Sequence, residues 1–285
     1  MLRVRREIPT TRGEFISLGA VGWVHKINDH IALKSPREED YLPQSFLRAS
    51  RGNFLAFYGG GTLDERLRKH QIRDEGPHGG SLIKVKEREP LALVERWIME
   101  LSHAAAWLES LGYAHTDIRP PNLLLDSQEH LKLTDFDSVR KLGTPAEGSA
   151  APWARVLGTE AGDECGSFGD NGARYEQFAI GSVLYMLTRG YEPYDDGSIA
   201  PEDAPVVVVL FQQMKFPPLG EDKLDGVIQQ CWKGEYETLK DLADETKLLS
   251  GASAFPRATA FDDDYCNKVR RECEDLVELG IFDEN

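Results

Sequence analysis

The stretch "HTDIRPPNLLLD", residues 115–126, sets a carboxylate (Asp117), a guanidinium (Arg119) and a carboxamide (Asn122) within six positions around a pair of prolines. A second carboxylate, Asp135 in "TDFD", follows Asn122 by thirteen residues. Nearer the start, "SLGAVGWV" carries Ser17, Gly19, Gly22 and Val24, and "IALK" carries Ala32 and Lys34. Glycines in a strand–turn–strand let backbone N–H groups approach phosphate oxygens closely, because no Cβ intervenes. Taken singly, each group has a plainer explanation: a glycine in a hairpin is usually only a turn, an aspartate a cap, an asparagine a turn amide. Their order and joint spacing carry the argument instead.

Those residues need elements to hold them. "EFISLGAVGWVHKINDHIALK" reads as short strands broken by Gly19 and Gly22 and turned at "NDH", and "NFLAFY" (53–58) as one more strand. "GGG" at 59–61 reads as a flexible join, after which the composition shifts. "TLDERLRKHQI" opens on a threonine cap, and "EPLALVERWIMELSHAAAWLESLG" lines Val94, Ile98, Leu101, Ala105, Leu108 and Leu111 on one helical face between Pro90 and Gly112. "NLLLDSQEHLKLTDFD" reads as two short strands turned by "DSQE", and a polar, glycine-rich, flexible stretch runs on to about residue 173. "YEQFAIGSVLYMLTRG" is apolar nearly all round, which places it at the centre of a domain. "LDGVIQQCWKG", "EYETLKDLADETKLL" and "DYCNKVRRECEDLVELG" read as further helices.

Composition bounds the function classes. With 285 residues, 41% of them hydrophobic, the chain can bury a sizeable core. The formal charge of −15 argues against nucleic acid and anionic membrane as partners, although residues 1–37 carry seven Lys or Arg against three acids and can face a phosphate ligand. The first residues contain no signal-like apolar run, and "VVVVLF" (206–211) is too short to cross a bilayer, so a soluble, cytoplasmic protein is expected. The four cysteines form no C-x-x-C pair and the histidines no ligand spacing, which favours reduced, buried thiols and ordinary packing histidines.

In this order the motifs resemble the eukaryotic protein kinase superfamily over nearly the whole chain. Ser17, Gly19, Gly22 and Val24 fall on the G-x-G-x-x-G-x-V loop, Ala32 and Lys34 on V-A-I-K, His115, Asp117 and Asn122 on H-R-D-x-x-x-x-N, and Asp135 on D-F-G. The variant "DIRPPN" with "DFD" and "EQFAIGS" is most similar to kinase-like proteins of filamentous fungi. A dinucleotide-binding fold is disfavoured, since no helix follows the glycines. The resemblance implies an α+β, two-lobed fold: a shortened β-rich lobe at 1–58, a hinge at 59–61 and a helical lobe at 62–285. It implies an ATP- and Mg²⁺-dependent phosphotransferase, expected to act on Ser or Thr hydroxyls of a protein, with a protein substrate or regulatory partner. Asp117 would then serve as base, Arg119 would steady the transferring group, and Lys34 would pair with phosphates. Asn122 and Asp135 would hold the metal, and Ser17, Gly19, Gly22, Val24, Ala32 and Lys34 would bind the nucleotide.

Four departures keep a second reading open, a pseudokinase acting as a binding or scaffold module. Residues 35–53 give nineteen positions, whereas a helix, a strand and their connections need roughly 25. A helix glutamate for Lys34 is therefore expected to be missing, with only Glu38, Glu39 and Asp40 nearby. The lobe is then expected to expose apolar surface, and so to dock another protein or to be the least stable part. Asp137 stands for the glycine of D-F-G, Thr116 for the arginine before the catalytic aspartate, and Glu176 for an aspartate of the buried helix.

Overall fold

The computed structural model describes residues 14–18, 22–36, 46–49, 51–76, 80–200, 205–254, 256, 258 and 261–282. It divides into two compact units, one of residues 1–59 with 258–285 and the other of residues 60–257. The observed content is α+β, a strand-rich unit and a larger helical one.

The first unit is a five-stranded antiparallel sheet of order β1-β2-β3-β5-β4, with β1 Glu14–Leu18, β2 Gly22–Lys26, β3 Ile31–Pro36, β4 Leu47–Ala49 and β5 Gly52–Ala56. Asn28 makes the β2–β3 turn, its side chain accepting from the backbone N–H of His30 and Ile31 at 2.8 and 2.9 Å. Because side chains alternate along a strand, Ile31 and Leu33 face one side of β3 while Ala32 and Lys34 face the other. Ile31, Leu33, Phe46 and Phe54 form a buried cluster with Val269, Cys273 and Phe282. The last three come from the C-terminal helix, Asp263–Glu278, and the turn after it. Hydrogen bonds fasten that helix and the turn after it to this unit: Asn28 Nδ2 to Glu272 (2.9 Å) and Arg270 Nε to the Phe46 carbonyl (3.1 Å) on the helix, and Arg51 Nη1 to the Phe282 carbonyl (2.6 Å) beyond it. Gly52 has no room for a side chain, since a Cβ there would lie 2.8 Å from Leu33 and 3.2 Å from Phe282.

This corrects two expectations. The closing helix does not belong to a large lobe at 62–285 but groups with 1–59. The apolar face of the small sheet is also not left open, because the same chain covers it. Between Lys34 and Phe54 the described residues contain strand and turn but no helix, and Glu38, Glu39 and Asp40 lie outside them.

The second unit begins with α1, Leu63–Lys69, whose Thr62 and Glu65 form a capping box. The hairpin β6–β7 (Gln71–Arg73, Leu82–Val85) leads to α2, Leu91–Ser110. Val94, Ile98, Leu101, Ala105 and Leu108 of α2 are buried as the periodicity requires, but Leu111, just past the last turn, is 52% exposed. Next come β8 (Tyr113–Ala114), the hairpin β9–β10 (Leu123–Leu125, Leu131–Leu133) and β11 (Arg140–Lys141), which pairs with β8. Helix α3, Ala173–Arg189, is buried on all sides and packs on α5, Lys223–Lys233, where Trp232 donates to Ser182 at 3.0 Å. Helices α4, Pro205–Gln212, and α6, Leu239–Thr246, complete the unit, which makes the C-terminal helix α7.

Two segments expected to be flexible are tied down. Gly60 donates to the Leu125 carbonyl and Leu125 to that of Gly61, both at 3.0 Å, and a Cβ on Gly60 would sit 2.4 Å from the Leu125 oxygen. Residues 142–172 are cross-linked by backbone bonds between Thr144 and Asn171, Ala146 and Gly169, and Leu157 and Ser167. Cys231 and Cys273 are buried as expected and Cys266 partly so, whereas Cys165 is exposed.

Candidate active site

In the second unit the loop between β8 and β9 holds the predicted cluster. Arg119 and the turn Pro120–Asn122 fold the chain back so that Asn122 Nδ2 donates to both the Asp117 carbonyl (2.9 Å) and Asp117 Oδ2 (2.7 Å). Arg119 Nε donates to the same carboxylate at 3.0–3.1 Å. The adjacent prolines make this turn cheap to hold, since their φ is already set. Asp117, Arg119 and Asn122 are thus one hydrogen-bonded group. The Asp117 carboxylate is fixed in orientation by a cation and an amide while remaining partly open to solvent.

Below the loop stands Glu176, in the first turn of α3 and 1% exposed. Its two oxygens accept from the backbone N–H of His115 (2.8 Å) and Thr116 (2.9 Å). Burial pushes its pKa up to about 7, against the pull of those two N–H groups. Thr116 has φ 66°, a conformation costly for a β-branched residue, and it is held by Glu176 and by its own hydroxyl donating to Ser138 O at 2.6 Å. Where the resemblance led one to look for arginine, Thr116 ties the loop to the segment after Asp135. His115 is fully buried: Nε2–H donates to the Thr134 carbonyl (2.9 Å) and Nδ1 accepts from the Asp117 N–H (3.3 Å). Burial lowers its pKa and keeps it neutral, as this bonding requires.

Asp135 follows Thr134, whose N–H and hydroxyl both donate to the Asn122 carbonyl at 3.0 Å, so the metal candidates are joined through one backbone group. Asp135 adopts the left-handed conformation, φ 63°, which aspartate tolerates. The Asn122 amide nitrogen is spent on Asp117, which leaves its Oδ1 available as an oxygen donor. One amide oxygen and one carboxylate suit Mg²⁺, which keeps several waters and takes its remaining ligands from substrate phosphates. No cluster of three or more His, Cys, Asp or Glu that could cage a metal occurs among the described residues.

A polar pocket of about 210 Å³ opens on Asp117, walled by Thr116, Ser138, Arg140, Glu147, Ser149, Asn171 and Tyr175. The expectation of a flexible stretch running to about residue 173 gives no sign of this wall. The adjacency of Tyr175 to Glu176, already set beneath the loop, was the available signal.

The other predicted residues stand on the sheet of the first unit. Val24 pairs in register with Ser17 of β1 and with Lys34 of β3, Gly22 opens β2, and Ala32 and Lys34 share the face opposite α7. Lys34 is 7% exposed. Gly19 lies outside the described residues.

Residues 57–244 match the family model for the protein kinase domain. Curated relatives include the CBL-interacting serine/threonine-protein kinase 3 of Arabidopsis thaliana, 33% identical over 41% of this chain and 26% of its own length. The CBL-interacting protein kinase 22 of Oryza sativa subsp. japonica is 28% identical over 68% of this chain and 45% of its own. The citron Rho-interacting kinase of Homo sapiens is 31% identical over 52% of this chain and 8% of its own. The chain therefore spans less than half the length of these relatives. Its helical unit carries the loop geometry set out above inside the segment that matches, and the chain belongs to the protein kinase family.

Proposed function

We propose that the protein is an ATP- and Mg²⁺-dependent phosphotransferase acting on Ser or Thr hydroxyls of a protein substrate. The observation that carries this is the Asp117–Arg119–Asn122 cluster, with Thr134, the residue before Asp135, bonded to the Asn122 carbonyl and a pocket lined by Asp117. Bound MgATP supplies the phosphoryl group. An acceptor hydroxyl seated in the pocket loses its proton to Asp117 as its oxygen bonds to the γ-phosphorus and the bond to the β-phosphate oxygen breaks, leaving ADP. Arg119 offsets charge on the transferring group, and Asn122 Oδ1 and the Asp135 carboxylate hold the metal. Residues 1–58 act as the nucleotide lobe, with Ser17, Gly19, Gly22 and Val24 along the phosphates, Ala32 at the base and Lys34 on the phosphates; 59–61 is the hinge. The relatives' names, serine/threonine-protein kinase among them, support the acceptor class. Four free cysteines suit a reducing cytoplasm.

Asp137 favours the second reading, a nucleotide-binding module with little turnover, because it adds a carboxylate two residues past Asp135. Thermal denaturation with and without millimolar MgATP tests what both share: a ligand that binds only the folded chain raises the melting temperature. No rise would remove both readings, and a rise without transfer to a basic protein substrate would select the second.

A further inference from the structure

Asn53 is an unusual residue for its place. It lies in β5, where β-branched and aromatic side chains fit best and asparagine is disfavoured. It is only 2% exposed, and its Oδ1 has no hydrogen-bond partner among the described residues. A buried acceptor left without a partner destabilises the fold, a cost that an apolar residue of the same shape would avoid. The register states what it faces. Phe54 pairs with Leu33 on the α7 side of the sheet, whereas Asn53 pairs directly with Lys34, so the two side chains share the face that also carries Ala32. Side chains of directly opposed residues stand with Cβ atoms about 5 Å apart, within reach of a long amine and a short amide. Its other cross-strand neighbour, Arg48 of β4, is exposed.

We propose that Asn53 is a positioning residue for Lys34: its amide oxygen accepts a hydrogen bond from the Lys34 ammonium in the nucleotide-bound protein and aims that ammonium at the phosphates. The inference rests on the nucleotide-binding reading above. It carries a physical consequence that a carboxylate partner would not. A neutral amide orients the ammonium without itself adding a negative charge beside the anionic ligand.

The test is a double-mutant cycle on the full chain, read as MgATP affinity by calorimetry. Asn53→Leu is expected to weaken MgATP binding about tenfold in the wild-type background while leaving the melting temperature equal or higher. In a Lys34→Met background the same change is expected to do nothing further. Asn53→Asp keeps the acceptor but sets a negative charge beside the ammonium, and is expected to bind MgATP more weakly than wild type yet more tightly than Asn53→Leu. Asn53→Val gives the same reading as the leucine variant if leucine does not fit. Wild-type affinity in Asn53→Leu, or an equal loss with and without Lys34, overturns the proposal and leaves the nucleotide reading standing. Absence of MgATP binding by the wild-type chain overturns the nucleotide reading itself, and this inference with it.

Discussion

The two units solve the same problem, closing an apolar core behind a polar site, in different ways. The helical unit does it within one continuous stretch, 60–257: α2, the β9–β10 hairpin and α3 supply most of the core, α5 and α6 pack against them, and the chemistry sits on the loop between β8 and β9. The sheet unit does it at long range. Ile31, Leu33 and Phe54 are covered by Val269, Cys273 and Phe282, more than two hundred residues further along the chain, and the face bearing Lys34 lies on the other side of the same strands. One unit is closed by elements of a single stretch of chain; the other depends on its last helix returning.

That contrast can be broken most sharply at Phe282, whose ring meets Phe54 edge-on at 5.9 Å. Phe282→Ala should cost about 3–5 kcal/mol, and hydrogen exchange should show protection lost from β3 and β5 while α2 and α3 keep theirs. Equal loss in both units would mean that they do not divide as described. Next in size, Asp135→Ala should weaken MgATP binding by about tenfold or more through the lost metal oxygen, whereas Asp117→Asn should bind MgATP almost as wild type. If Asp135→Ala binds normally, Asp137 is the metal ligand.

Glu176 sharpens the helical unit's side of the contrast. Its folded-state pKa, about 7, lies above the ordinary 4.5. Between those values the folded chain holds a proton that the unfolded chain has released. This contribution to stability is therefore full below about pH 4.5 and is lost as pH rises to about 7. Urea midpoints measured across that window should fall less steeply with pH in Glu176→Gln than in wild type, and parallel slopes would remove the assignment. The smallest effect belongs to Leu111, exposed past the end of α2: Leu111→Ser should change stability by no more than about 0.5 kcal/mol.

What was legible in the residues follows the same divide. Helical periodicity announced α2 and the buried α3, turn residues announced the β9–β10 hairpin, and motif spacing brought Asp117, Arg119 and Asn122 into one group. These signals are local. The helical pattern of α7 was equally plain, but nothing in its own residues says that its apolar face meets Leu33 and Phe54, so it was assigned to the wrong unit and the sheet was expected to stay open. Residues 142–172 lack any period, and their order comes from backbone bonds between positions such as Ala146 and Gly169 that leave no trace in side-chain type. Asn53 escaped notice because only the register sets it opposite Lys34.

The central claim is that Asp117 is the base of a phosphoryl transfer for which Asn122 and Asp135 hold the metal. Transfer of labelled γ-phosphate from ATP to a basic protein substrate, with Mg²⁺ and then with chelator, in wild type beside Asp117→Asn, tests it directly. The account predicts Mg²⁺-dependent transfer by wild type and its loss, by a factor of a hundred or more, in a variant that still binds MgATP. Transfer that persists in Asp117→Asn, or none from a wild-type chain that binds MgATP, would contradict it.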